Sequence, residues 1–176
     1  VRIEVTPEGY TFVAAADGAG SIRGDTLQVL PILTISGDVS FDTGNLDSAG
    51  DVHISGNVRS GFEVKAGGSI LVGGVVEDGA HLRAGVDVVV AKGIVGPGAR
   101  VIARGNAEAR FVQSSTLLAQ GDIAIGSYLY DATVRAGGQV VVHKGSGQRS
   151  GSIMGGEVLA AGGVRAVFLG TPAGPR

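Results

Sequence analysis

The chain has 176 residues, 32 of them Gly, with no Cys, no Trp and a formal net charge of −2. That length suits one domain, and the near-balanced charge excludes a general attraction to nucleic acid or anionic membrane. Without Cys there is no disulfide framework or thiolate metal site, and no apolar run approaches the roughly 20 residues of a membrane span.

Residues 1–36 differ in pattern from the rest of the chain. ValArgIleGluVal (1–5) alternates, ThrProGluGly (6–9) turns, TyrThrPheValAlaAla (10–15) resumes a strand, and AspGly (17–18) turns again. ThrLeuGlnValLeuProIleLeuThrIle (26–35) reads as a further strand interrupted by Pro31, which suits an edge. The expectation is a small N-terminal β-meander that caps the open strand edge of the next domain.

From Leu46 an aliphatic residue recurs at every sixth position: Val52, Val58, Val64, Ile70, Val76, Leu82, Val88 and Ile94. A helix wants 3.6 and a strand wants 2, so neither explains that period. Three sixes make one eighteen-residue unit, and GlyAspValHisIleSerGlyAsn (50–57) does realign with GlySerIleLeuValGlyGlyVal (68–75). A signature of aliphatic–x–Ala/Ser–x–Gly–x–apolar starts at Leu46, Val64, Leu82, Val101, Leu117, Val134 and Val158. Its fifth position is Gly in every copy except at Val86. The object with both periods is a coil of three short strands, stacked about seven times over residues 37–170 as a β-solenoid.

Each coil has three faces. The first points Val64 with Ala66 and Leu82 with Ala84 inward; the second, Val52 with Ile54 and Ile70 with Val72; the third is led by Val58, Val76, Ile94, Val112, Leu129 and Ile153. The longest step between copies holds an extra loop at 143–151, expected to bulge from a corner, exposed and dispensable for folding. ThrProAlaGlyProArg (171–176) reads as a linker stub to a further region.

No residue is assigned a catalytic, cofactor-binding or metal role. Asp38, Asp42, Asp47 and Asp51 are crowded, but Asp is a corner residue that bonds its own backbone. Lys65, Arg83 and Arg135 recur on the outer side of the first face, a charge pattern that usually marks a solvated surface. GlySerGlyGlnArgSerGly (145–151) lacks the order of a P-loop. The six-residue period also marks left-handed β-helix acyltransferases. However, His53, His81 and His143 fall at different places in their hexads, so that enzyme stays a remote alternative.

GlyAspValSerPheAspThrGlyAsn (37–45), the repeated AlaGlyGly corners, GlySerIleMetGlyGlyGluVal (151–158) and AlaValPheLeuGlyThrProAlaGly (166–174) resemble the β-solenoid domain of the flagellar assembly protein A (FapA) family. The stretch from Gly50 to Val72 is also similar to the C-terminal domain of the division inhibitor MinC, and bactofilins are a more distant likeness. The resemblance implies an all-β, right-handed, three-sided parallel β-helix in a cytoplasmic bacterial protein, with a polar position in the cell as the finer expectation. It implies a non-catalytic structural module of flagellar or polar assembly that works with protein partners. Beside it, capped ends lead to the expectation of a homodimer, and the composition to that of no cofactor, no nucleic acid and no direct membrane insertion. A self-polymerising, bactofilin-like element is the alternative.

The candidate protein-interaction surface is the outer side of the second face. Its column reads His53, Leu71, Val89, Glu108, Ala124, Val141 and Arg165. Solvated strands carry polar groups outward, so Leu71, Val89, Ala124 and Val141 point to a surface covered by residues 1–35, a second copy or an outside partner.

Overall fold

The computed structural model describes residues 32–145 and 151–170 with their side chains, and the backbone of strands Arg2–Thr6, Gly9–Val13, Ala19–Arg23 and Thr26–Leu30. The described residues form strands, turns and bends, with no helix among them.

Fifteen strands belong to one sheet that coils on itself, and all its pairings are parallel. The seven first-face rungs are Leu46–Ser48, Glu63–Ala66, His81–Ala84, Arg100–Ala103, Thr116–Ala119, 133–136 and 157–160. Stacking at ~4.8 Å makes this a rod roughly 30 Å long. The second face begins at Leu33–Ile35, which pairs with Val52–Ile54, so the stacking already starts upstream of residue 37. On the third face a single column runs Val39, Val58, Val76, Ile94, Val112, Leu129, Ile153 and Leu169. The fold is the expected β-solenoid of about seven turns, in the expected register.

A thin aliphatic core fills the coil. Val52, Val58, Val64, Val76 and Ile94 have no more than 2 % of their surface exposed, as do Ile70, Leu82 and Val88. Like stacks on like because each rung is one turn of the repeat, so an apolar position is covered above and below by its own kind. Ala66, Ala84, Ala103, Ala119 and Ala136 form one buried column on the first face.

Two corners are held by side chains that reach one coil along the rod. At the corner between the first and second faces, Asp51 Oδ1 accepts from the backbone N–H of Ser69 (2.8 Å), and Ser69 Oγ accepts from Asp87 N (3.3 Å). Asp87 accepts from Asn106 N (2.6 Å), Asn106 from Asp122 N (2.9 Å) and Asp122 from Gln139 N (2.8 Å). At the next corner Asp38 accepts from Asn57 N (2.7 Å) and Asn57 from Val75 N (2.8 Å). For Asp38 and Asp51 the expectation of bonds within their own turns is thus corrected: they satisfy N–H groups of the following coil. A corner faces away from the sheet ladders, so its N–H needs such an acceptor.

The turns that leave the third face use left-handed residues, though not all at one place. Gly61 and Gly79 stand three residues past the column at φ 81° and 71°, whereas Gly96, Ser114, Asp131 and Gly155 stand two past it at 104°, 50°, 46° and 68°.

The N-terminal strands are antiparallel, as expected, but make two separate hairpins: Arg2–Thr6 with Gly9–Val13, and Ala19–Arg23 with Thr26–Leu30. The anticipated strand at 26–35 is divided. Its first half pairs back on Ala19–Arg23, and Leu33–Ile35 joins the solenoid. Pro has no N–H to give either ladder, so the break falls at a natural place. Most of the inserted loop, residues 146–150, lies outside the described residues, as does the 171–176 stub.

Candidate interaction surface

The outward column of the second face is assembled rung by rung: Thr34, His53, Leu71, Val89, Glu108, Ala124, Val141 and Arg165 are successive register partners. Leu71 therefore sits directly on Val89, and Ala124 on Val141, with the Glu108 carboxylate between the two pairs. Leu71 is 40 % exposed, while Val89, Ala124 and Val141 are half-buried against their strand neighbours. The described part of the chain leaves the Leu71 side chain open. Val86, at the corner leading into the same face, adds another exposed aliphatic.

The other candidate groups are dispersed. Asp38 and Asp51 stand on different corners, Asp47 points outward from the first face, and Asp42 lies on an exposed turn. No group of three or more metal-ligating side chains occurs among the described residues. His53 is on the second face, His81 opens a first-face strand, and His143 follows the end of Val140–Val142. Lys65, Arg83 and Arg135 do share one outward column, but Ile102 and Leu118 separate Arg83 from Arg135.

One charged cluster has a defined geometry. Arg59 sits between Asp38 and Glu77, with Nη2 2.6 Å from Asp38 Oδ2 and Nη1 2.7 Å from Glu77 Oε1. The Asn57 backbone N–H and the Arg59 guanidinium together hold the Asp38 carboxyl below the usual carboxylate range, and the two acids raise Arg59. The three groups tie three successive coils together on the third face.

Residues 31–176 match the family model of the Flagellar Assembly Protein A β-solenoid domain. The chain belongs to the FapA β-solenoid family. Comparison with curated proteins and with solved structures gives no match. Among the described residues no helix is long and apolar enough to cross a membrane.

In this FapA solenoid the third face adds a feature that residue-by-residue reading missed. Phe111 stacks on Tyr128 with ring centroids 5.2 Å apart and planes 14° from parallel. Gly93 lies one rung below, and a Cβ there would run into the Phe111 ring. The available signal was Gly93, Phe111 and Tyr128 in equivalent places of successive coils, hidden by the unequal repeat lengths.

Proposed function

We propose that this FapA solenoid is a non-catalytic structural module of flagellar assembly, a stiff rod that docks onto protein through its second face. The partner we assign first is a second copy of the chain. The observation that carries this reading is the alignment of Leu71 on Val89 and of Ala124 on Val141 along an otherwise regular rod. Each coil is locked to the next by ladder bonds and corner side chains, so the strip is presented in one fixed geometry, which lowers the ordering cost of association. Covering about 200 Å² of such surface contributes on the order of 5 kcal/mol before association costs. Membership of an assembly-protein family supports a binding role, and the dispersal of the acidic and His residues supports the absence of chemistry. We further assign residues 1–36 to capping the first coil, and the module to the cytoplasm.

Light scattering on a size-exclusion column tests the reading. The chain is expected to elute with the mass of a dimer, and L71K/V89K with that of a monomer. A monomeric parent, or a double variant that stays dimeric, contradicts pairing through this face; a polydisperse filament signal would favour end-to-end polymerisation instead.

A further inference from the structure

The first face carries a second surface with different chemistry. Its outward column runs Asp47, Lys65, Arg83, Ile102, Leu118, Arg135 and Leu159 in register. Beside it, the corner that leaves the face carries residues with little or no side chain, Gly67, Gly85 and Gly137, together with Arg104 and Gln120. A Cβ on Gly67, Gly85 or Gly137 would collide with the carbonyl of the coil below. The missing side chains leave a groove along the rod, lined by Lys65, Arg83, Arg104, Ile102, Leu118 and Arg135.

The groove is basic although the whole chain is slightly acidic. Arg83 and Arg104 make no ion pair with any described residue. Among the described residues Lys65 and Arg135 pair only with Glu63 (2.9 Å) and Glu157 (3.1 Å), all four groups being well exposed. Exposed pairs of that kind contribute little and are readily exchanged for a better partner. Acidic groups close both ends, Asp47 and Glu63 at one and Glu157 at the other. The basic stretch therefore spans five rungs, from Lys65 to Arg135, and its four steps cover ~19 Å. That length matches about six residues of extended peptide at ~3.3 Å each. A polynucleotide would run its phosphates past the acids at either end. The two aliphatics in the middle of the column ask for apolar atoms that a phosphate backbone does not offer.

We infer that this groove docks an acidic segment of another protein, whose carboxylates meet Arg83 and Arg104 while aliphatic side chains lie over Ile102 and Leu118. The site is separate from the second-face strip and does not depend on it. Its charge steers the encounter, and the aliphatic pair distinguishes the segment from a simple polyanion.

Fluorescence anisotropy with a labelled decapeptide tests this. The peptide carries glutamates around two leucines placed two positions apart, so that an extended chain presents both on one side. The native chain should bind it saturably and more weakly as salt rises. R83E/R104E should weaken binding at least ~10-fold, and I102S/L118S several-fold. Exchanging the peptide's leucines for serine should cost the same several-fold, and L71K/V89K should bind as the native chain does. Should R83E/R104E fail to give the native circular dichroism, R83S/R104S makes the same test with a milder change. Absence of saturable binding up to millimolar peptide overturns the inference, as does binding indifferent to these arginine changes. Tighter binding of an oligothymidylate than of the peptide would assign the groove to nucleic acid and overturn it too.

Discussion

Gly105 and Val86 occupy equivalent places one coil apart, at the corner entering the second face. A Cβ at Gly68, Gly105, Gly121 or Gly138 would collide with the Oδ1 of the Asp or Asn one coil below. Beneath Val86 the ladder residue is Ser69, whose shorter side chain leaves room and whose bond to Asp87 N is longer, at 3.3 Å. These four glycines and the one exception thus have a common cause. Gly105→Ala should destabilise the fold by about 1–3 kcal/mol through overpacking against Asp87. Adding Asp87→Ser should recover part of that loss, measured as a positive coupling in a double-mutant denaturation cycle; strictly additive effects would contradict it. Ala84, 1 % exposed within its column, makes a parallel case. Ala84→Leu is expected to cost about 1–3 kcal/mol in urea melts, and an unchanged midpoint would contradict the assigned packing.

Among the elements, the solenoid strands were legible in the sequence and the N-terminal ones only partly. A six-residue aliphatic period records burial directly, so Val52, Val58, Val64 and their successors announce three inward positions per coil. Residues 19–30 carry no such repetition. Their clue was local: Gly24 and Asp25 stand between Arg23 and Thr26, which pair as the last rung of a hairpin, and a two-residue Gly–Asp link is a hairpin signal. The second-face column was readable because strand alternation and coil period fix it once the register is known. The corner ladders were not, since Asp51, Ser69, Asp87 and Asn106 differ in type and meet only across coils. The Asp38–Arg59–Glu77 link shows what such a bridge does with pH. Asp38 has its carboxyl held below the ordinary range in the fold. Its contribution is therefore present above the unfolded-chain value and is lost as pH falls through the lowered one. Thermal melts should show stability level at neutral pH and declining in that acid window, with a shallower decline in Asp38→Asn. Equal slopes for the two proteins would remove Asp38 from the account.

At the scale of the whole molecule, the rod displays three chemically distinct outer faces: a basic groove on the first, an aliphatic strip on the second, and the Phe111–Tyr128 stack with the Arg59 bridge on the third. A solenoid repeats its backbone and varies its outward columns, so partners can be separated by face without altering the core. The natural absence of Cys allows each face to be addressed by one introduced thiol. The most direct measurement is intermolecular cross-linking with a short bis-maleimide, applied to V89C on the second face, H81C on the first and Y130C on the third. Pairing of copies through the second face predicts a covalent dimer in high yield from V89C and background yields from the other two. Equal yields from all three faces, or a dominant yield from H81C or Y130C, would contradict it.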